Sequence, residues 1–238
     1  MNSTPEPVTA PPVEPEGAVA ALFSSGAEVA RRYCGHLTTT AVARGLIGPR
    51  EVPRIWERHL LNCAAMHELI PMDATVVDVG SGAGLPGVAL AIARPDLRVL
   101  LVEPLQRRVS WLDEVVEDLG LTNVEVARAR AEELSATVKA DVVTARAVAG
   151  LPMLARLCLP LVRPGGRFMA VKGRSARGEL DAGAAELARL GATAWEVRQC
   201  GEGVLDELTT VIEVTAGSVA RGKGTQRRSS KRGSSRRR

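Results

Sequence analysis

The chain has 238 residues, of which 45% are hydrophobic and 24% charged, and its formal net charge is +4 at pH 7. This is enough apolar material for one sizeable core, but no apolar run approaches the roughly 20 residues that span a bilayer, so we expect no membrane partner. The N-terminus lacks the features of a secretory signal and the four Cys form no C-x-x-C pair, which predicts a cytoplasmic protein with neither a disulfide framework nor a metal site.

The first seventy residues change in composition after residue 17. Residues 1–17 are rich in Pro and Glu, a composition typical of disordered segments. From residue 18 to about residue 70, apolar residues recur at helical spacing, which predicts an N-terminal helical cap over 18–70. The last segment of this cap, PRIWERHLLNCAAMHELI, places Ile55 and His59 near one helical face.

Beyond residue 70, short apolar runs alternate with amphipathic stretches. The runs predicted to be strands are ATVVDVG, LRVLLVEP, NVEVARA, ADVVTARA, GRFMAVKG, AWEVRQC and LTTVIEVT. The stretches predicted to be helical are GLPGVALAIARP, QRRVSWLDEVVEDLG, AEEL, LPMLARLCLPLV and residues 178–190. This alternation predicts one α/β domain over 71–215, with a mostly parallel seven-stranded sheet covered by helices on both faces.

The basic character of the chain is concentrated at its C-terminal end. Residues 216–238 hold nine Lys and Arg and no acid, which leaves 22 basic against 27 acidic residues, or a net −5, for residues 1–215. A segment of Gly, Ser and Arg cannot build a core, so we expect this tail to be disordered. It could be a tether to nucleic-acid phosphates or a dispensable solvated extension, and both interpretations stay open.

The glycine-rich stretch VVDVGSGAGLPG, residues 76–87, predicts a turn that holds a ligand against bare backbone. A P-loop would need a Lys after the glycines, and none is present. The GAGLPG segment does satisfy the G-x-G-x-x-G pattern of dinucleotide sites. However, Asp78 at the end of the first strand gives the spacing D-x-G-x-G-x-G, which resembles the first motif of class I S-adenosylmethionine (SAM)-dependent methyltransferases.

Two further features favour SAM over a dinucleotide. Glu103 ends the second predicted strand, where an acid can accept both ribose hydroxyls. The segment VRPGGRFMAVKG resembles the turn and strand that follow the fourth helix of this methyltransferase fold. SAM also carries a sulfonium and no phosphate, so its site needs no Lys or Arg at the glycine turn. We therefore expect a Rossmann-like class I methyltransferase with SAM as its cofactor.

The residues also restrict the methyl acceptor. No Pro-Cys or Thr-Cys loop is present for attack on cytosine C5, and the end of the fourth strand, DVVTARAVAG, lacks the Pro pair and aromatic residue used for exocyclic amines. An acceptor that already has a lone pair, such as guanine N7, needs neither device. Catalysis would then be mainly positioning and desolvation.

An ordered set of motifs carries a closer resemblance. The set is IWERHLLN, VVDVGSGAGLPGVALAI, RRVSWL, ARAEEL, TARA and FMAVKG. In this order it resembles the RsmG (GidB) family of bacterial 16S rRNA guanine-N7 methyltransferases, and the likeness covers residues 54–173 well. The resemblance implies that the chain forms 7-methylguanosine in the decoding-region loop of 16S rRNA in the small ribosomal subunit.

The resemblance also implies roles for individual residues in cofactor binding. Gly80 and Leu85 would line the methionine and ribose side, together with Gly82 and Gly84, and Asp78 would order the turn. Ribose hydroxyls would meet Glu103, and the adenine would meet Ala131 and Glu132. Arg146 would reach into the pocket from the fourth strand, and together with Lys172 it would position the reactants, with no residue acting as a general base.

The candidate RNA contacts are basic residues near these motifs. They are Arg58, His59, Arg107, Arg108, Arg130, Arg146 and Lys172. Each has a simpler interpretation: His59 could be a hydrogen-bonded helix residue, and the arginines could be solvated surface. Six aromatic residues offer little for base stacking, and the acidic core disfavours tight binding to naked RNA. We therefore expect a monomer that recognises a shaped ribonucleoprotein surface.

Three alternatives remain open from the sequence. The first is a SAM methyltransferase that acts on another RNA, a small molecule or a protein. The second is a nicotinamide oxidoreductase, which the G-x-G-x-x-G match permits. The third is a non-catalytic RNA-binding factor built on the same fold.

Overall fold

A computed structural model describes residues 11–146 and 149–217, which form a seven-stranded sheet with helices on both faces. The strands are β1 (Thr75–Val79), β2 (Arg98–Val102), β3 (Val124–Ala127), β4 (Ala140–Arg146), β5 (Val162–Lys172), β6 (Ala192–Cys200) and β7 (Thr209–Ala216). The α-helices are α1 (Glu16–Phe23), α2 (Ala27–Thr38), α3 (Thr40–Ala43), α4 (Asn62–Ala64), α5 (Gly87–Ala93), α6 (Gln106–Leu119), α7 (Ala131–Leu134), α8 (Leu151–Cys158) and α9 (Ala176–Arg189).

The strand order across the sheet is β3-β2-β1-β4-β5-β7-β6. Strands β1 to β5 run parallel, whereas β7 lies antiparallel between β5 and β6. The order reverses between β1 and β4, and in open α/β sheets ligands bind at this reversal, outside the carboxyl ends of the strands. The register pairs Val79 with Ala145, so the next residues, Gly80 and Arg146, lie side by side at the carboxyl edge of the sheet.

The two faces of the sheet carry separate apolar cores. One core joins the cap to α5 and α6, and it buries the large side chains of Phe23, Tyr33, Trp56 and Trp111. The other packs α8 and α9 against the opposite face around Phe168. The cap therefore shares one core with the sheet, and its residues can reach the carboxyl ends of the strands.

The end of the cap differs from the continuous helix that the spacing suggests. Residues Pro49–Arg54 form a 3-10 helix, Ile55–Leu61 a π-helix, and Ala65–Leu69 a further 3-10 helix after the short α4. Pro53 interrupts regular α-helical bonding at the start of this segment. Wide π turns occur often at functional sites, and this one carries Arg58 and His59.

The remaining elements lie close to their predicted bounds. Helix α8 ends at Cys158, where a 3-10 turn (Leu159–Leu161) containing Pro160 replaces the last predicted helical residues. Helix α1 begins at Glu16, inside the Pro/Glu-rich stretch for which disorder is predicted. Residues 1–10 and 218–238 lie outside the described residues, so the disorder expected for these two segments stays a prediction. In the described part of the chain no helix has the length and apolar character to cross a membrane.

Candidate active site

The glycine turn between β1 and α5 has the backbone geometry that the motif predicts. Gly80, Gly82 and Gly84 have positive φ angles of 72°, 56° and 82°, a region that favours glycine. The Leu85–Pro86 peptide bond is cis. A Cβ added at Gly80 would meet nothing within 4 Å. The turn therefore presents bare backbone to open space at Gly80, whereas Gly84 and Leu85 are buried.

Asp78 holds the turn from beneath. Its side chain is fully buried, and its carboxylate accepts hydrogen bonds from the Gly87 amide and the Thr144 hydroxyl, both at 3.1 Å. Burial raises the pKa of the Asp78 carboxyl to about 6, although these hydrogen bonds oppose the shift. A Cβ at Gly87 would lie 2.9 Å from Asp78 Oδ2 and 2.3 Å from Leu101. Asp78 thus bonds the end of the turn to β4 and is shielded from solvent.

Glu103 lies beside the turn at the end of β2. Its carboxylate is almost completely buried, and Oε2 accepts a hydrogen bond from the Gly82 amide at 3.1 Å. The Leu105 amide donates to Oε1 at 3.0 Å, and Arg108 lies 3.3 Å from Oε2. Glu103 therefore touches the glycine turn directly, where an acid can meet the ribose of a nucleoside.

The adenine-side candidates follow β3 at the start of α7. Ala131 is buried and Glu132 is exposed, while Glu133 accepts a hydrogen bond from the Arg130 amide and caps the helix. Strand β3 lies next to β2, so these residues are on the Glu103 side of the turn. The turn has glycines without side chains, the carboxylate of Glu103 beside it, and no Lys or Arg of its own. These features fit a positively charged nucleoside cofactor such as SAM.

Tyr33 is a site residue that the sequence did not reveal. Its buried hydroxyl donates a 2.6 Å hydrogen bond to the Ala83 carbonyl in the middle of the glycine turn. A Cβ at Gly84 would lie 2.9 Å from the same hydroxyl. The available signal was weak: Tyr33 is the only Tyr in the chain, and it sits on the apolar face of α2. Its partner is fifty residues away.

A cleft of about 1150 Å³ opens next to the turn, and we call it the cap–sheet cleft. The cap contributes Arg54, Arg58 and Asn62 to its wall. The ends of β4 and β5 contribute Arg146 and Lys172, and the segment before β7 contributes residues 204–208. The glycines of the turn, Gly80, Gly82 and Gly84, are not among the residues that line this cleft.

Arg146 connects this cleft to the interior of the cap. One guanidinium nitrogen, Nη1, lies 3.0 Å from Cys63 Sγ, and the other, Nη2, contacts His59 Nδ1. The second ring nitrogen of His59, Nε2, lies 2.9 Å from Glu51 Oε2. Burial and the charge of Arg146 lower the pKa of His59 to about 4. The imidazole is therefore neutral at pH 7, and it accepts from Arg146 at Nδ1 while it donates to Glu51 at Nε2.

The candidate RNA contacts fall into two groups. Arg58 is exposed on the cap–sheet cleft, whereas Lys172 is largely buried there, with Nζ 2.9 Å from the Ala149 carbonyl oxygen and 2.8 Å from Glu179. His59 turns inward, with 9% of its side chain exposed, so its geometry fits the simpler interpretation of a hydrogen-bonded helix residue.

The second group lies after β2 and β3, away from this cleft. Arg107 and Arg130 are exposed, and Arg108 is paired with Glu103. Five of the six aromatic residues are buried, and the sixth, Trp195, is partly buried, which leaves little surface for base stacking. Among residues 11–146 and 149–217, no three His, Cys, Asp or Glu side chains are arranged to hold a metal ion.

Solved structures with the same architecture include two with a TM-score of 0.51. M. jannaschii TYW2 in complex with AdoMet is 17% identical, and the match covers 64% of this chain and 73% of that one. A methyltransferase from Pyrococcus furiosus is 12% identical, with 64% and 79% of the two chains covered. The fold is that of the class I SAM-dependent methyltransferases, as the sequence predicts.

Sequence comparison narrows this class to one family. Residues 27–209 match the family model described as rRNA small subunit methyltransferase G, or GidB. The relative of that name from Salinispora arenicola is 58% identical over 218 residues, which covers 88% of this chain and 90% of the relative. The one from Thermobifida fusca is 56% identical, with 85% and 86% covered. The chain belongs to the rRNA small subunit methyltransferase G (GidB) family.

Proposed function

We propose that this chain uses SAM to methylate N7 of a guanine in the decoding-region loop of 16S rRNA, within the small ribosomal subunit. The observation that carries the proposal is the junction at the carboxyl edge of the sheet. There, the register of β1 and β4 sets the open glycine turn at Gly80 beside Arg146, which lines the cap–sheet cleft. A cofactor cradle and a space for an acceptor thus meet in a chain of this family.

The residues of the turn would hold the cofactor by shape and charge. When bound, SAM supplies an electrophilic methyl group. Gly80 and Gly82 would face its methionine and ribose side, with the buried Gly84 and Leu85 shaping the turn behind them, and Glu103 would accept hydrogen bonds from the ribose hydroxyls. Ala131 and Glu132 would border the adenine. Asp78 would keep the turn in place without contact to the reacting atoms.

The cleft supports an acceptor that needs no deprotonation. Its wall carries the cations Arg54, Arg58 and Arg146 together with carboxylates, which are Glu57, Glu179, Asp206 and Glu207. Glu179 is paired with Lys172, and the proposed acceptor atom requires none of these acids as a base. The nearest imidazole, His59, has both ring nitrogens engaged and is not available as a general base. Guanine N7 attacks with its own lone pair, so orientation of the base and exclusion of water account for the catalysis that the protein must provide.

The proposal extends to the binding partner, the oligomeric state and the cellular location of the protein. The substrate would be the rRNA of the small ribosomal subunit, met as a shaped ribonucleoprotein surface, because residues 1–215 carry a net −5 and the surface offers few aromatics. We propose that the protein acts as a monomer in the cytoplasm, where the ribosome is assembled.

The test is methyl transfer from radiolabelled SAM to small subunits that lack their own modification, with naked 16S rRNA in parallel. Reduction and aniline treatment then cleave the product at 7-methylguanosine. We expect a single cut in the decoding-region loop, with higher yield on subunits than on naked RNA. Label without a cut would overturn the N7 assignment and favour another acceptor. No label, despite SAM binding by calorimetry, would overturn the enzyme assignment in favour of a non-catalytic factor.

A further inference from the structure

A chain of polar contacts crosses from the cap surface to the wall of the cap–sheet cleft. It begins at Glu51, passes through the imidazole of His59, and ends at the guanidinium of Arg146, whose other edge meets Cys63. The mechanism of methyl transfer above makes no use of Glu51, His59 or Cys63. Their side chains come from the cap, whereas Arg146 comes from β4, so the chain joins the two parts of the molecule at the cleft.

The donors and acceptors in this chain admit one arrangement. Arg146 can only donate and Glu51 at neutral pH can only accept, so the neutral ring between them must be protonated at Nε2 and bare at Nδ1. The carboxylate thus fixes both the tautomer and the plane of the imidazole. The π-helix places His59 inward while its neighbour Arg58 remains on the cleft wall.

Arg146 has few other contacts that could hold it. Among the described residues its side chain donates hydrogen bonds to His59 and to the thiol of Cys63, and a thiol is a weak acceptor. The guanidinium is partly buried and carries a full charge, with the Asp78 carboxylate as the nearby acid. Loss of its imidazole partner would therefore leave one of its donors without the acceptor that fixes its direction. The long side chain would then sample other rotamers.

We propose that His59, held by Glu51, is a positioning residue that fixes the Arg146 guanidinium on the wall of the cleft where the acceptor base is bound. This inference rests on the proposed function, because it gives Arg146 a base to meet. It assigns His59 no contact with RNA. The exposed Arg58 on the same π-helix is the residue that would touch the RNA.

Two substitutions at His59 separate its two hydrogen bonds. In H59N the amide oxygen occupies the place of Nδ1 and can accept from Arg146, whereas the bond to Glu51 is lost. In H59Q the amide reaches the place of Nε2 and can donate to Glu51, but Arg146 loses its acceptor. We expect H59Q to lower kcat for methylation of small subunits by about tenfold to a hundredfold, and H59N to lower it by no more than about threefold.

The kinetic constants distinguish positioning from RNA binding. If His59 only positions Arg146, H59Q should leave the KM for small subunits and the calorimetric Kd for SAM within about twofold of the values for the unmodified protein. If His59 instead contacts RNA, H59Q should raise the KM for small subunits and make the affinity for RNA less dependent on salt. The matched control is H36Q, since His36 is a partly exposed cap residue that pairs with Asp118 far from the cleft, and it should change neither constant.

A double-mutant cycle tests whether His59 acts through Arg146. R146A alone should lower kcat, and the addition of H59Q should lower it by less than about twofold more. A full further loss in the double variant would overturn the proposal, because His59 would then act by another route. Equal kcat for H59Q and the unmodified protein would also overturn it. If the unmodified protein itself transfers no methyl group, the proposed function is wrong. If it transfers the methyl group and H59Q does so equally well, only the positioning role of His59 is wrong.

Discussion

At the residue scale, Tyr33 connects the helical cap with the glycine turn through a single hydroxyl group. The hydrogen bond to the Ala83 carbonyl is short and fully buried. We expect Tyr33→Phe to lower the free energy of unfolding by about 1–3 kcal/mol, because the substitution leaves a buried carbonyl oxygen without a donor. Urea denaturation measures this change.

The same substitution should weaken SAM binding, since Ala83 lies inside the turn that would hold the cofactor. We expect the calorimetric Kd to rise severalfold, with the loss of stability and the loss of affinity both traced to the turn. The control is Thr38→Val on the same helix, whose hydroxyl bonds only to α2 carbonyls. Unchanged stability and affinity in Tyr33→Phe would contradict a role for this contact.

At the element scale, the turn between β1 and α5 contains glycines that are required for different reasons. Gly80 has a positive φ and open space where a Cβ would lie, whereas Gly87 has Leu101 at 2.3 Å. We expect Gly80→Ala to abolish measurable SAM binding while it costs only about 1–2 kcal/mol of stability. Gly87→Ala should destabilise the fold by about 1–3 kcal/mol through overpacking, with or without ligand.

Gly120 provides the matched control for Gly80. It ends α6 with a φ of 67°, and a Cβ there would also meet nothing within 4 Å. Gly120→Ala should therefore cost the same backbone strain as Gly80→Ala and leave SAM affinity unchanged. Calorimetry measures SAM affinity and urea denaturation measures stability for Gly80→Ala, Gly87→Ala and Gly120→Ala. If Gly80→Ala binds SAM normally, the cradle does not lie at this turn.

The same scale shows what the sequence could and could not predict. The seven strands and the turn followed from apolar runs and glycine spacing, because these patterns depend on local geometry and burial. The π-helix over Ile55–Leu61 was not predicted, since its spacing fits an α-helix equally well. The inward direction of His59 depends on Arg146, which is 87 residues away, and no local pattern encodes that contact.

At the scale of the whole molecule, two buried groups make stability depend on pH in opposite directions. Burial and the Arg146 charge lower the pKa of His59 from 6.5 to about 4, so the folded chain binds fewer protons and stability falls as the pH drops through this window. Burial raises the pKa of Asp78 from 3.8 to about 6, so the folded chain binds more protons and stability rises as the pH drops. The two effects largely cancel between about pH 6 and 4.

Removal of the imidazole should remove the His59 contribution to this pH dependence. We expect the stability of H59N, relative to the unmodified protein, to rise by up to about 3 kcal/mol as the pH falls from 6.5 to about 4. The charged groups that face this ring, Glu51, Arg58 and Arg146, are present in both proteins. Urea denaturation across this range measures the difference, with H36Q as the control. A constant difference would mean that His59 titrates normally in the folded state.

The charge distribution of the whole chain determines what the C-terminal tail can contribute. Residues 218–238 hold nine Lys and Arg, whereas the remainder has 22 basic and 27 acidic residues. The body of the protein is thus repelled by RNA at long range, and the tail carries the attraction. We expect a chain that ends at residue 217 to bind naked 16S rRNA more weakly at low salt, with its affinity for SAM unchanged.

The salt dependence of binding distinguishes an electrostatic tether from a passive extension. Each phosphate contact that the tail makes contributes about 0.7 to 0.9 to the slope of log affinity against log salt. A tail of the same length with its nine Lys and Arg replaced by Ser should lower the slope as much as deletion does, and a scrambled tail that keeps the nine charges should restore it. If deletion leaves the slope unchanged, the tail makes no phosphate contacts. The RNA would then be held by the shape of the body and by the exposed arginines, of which Arg58 lines the cap–sheet cleft together with Arg146.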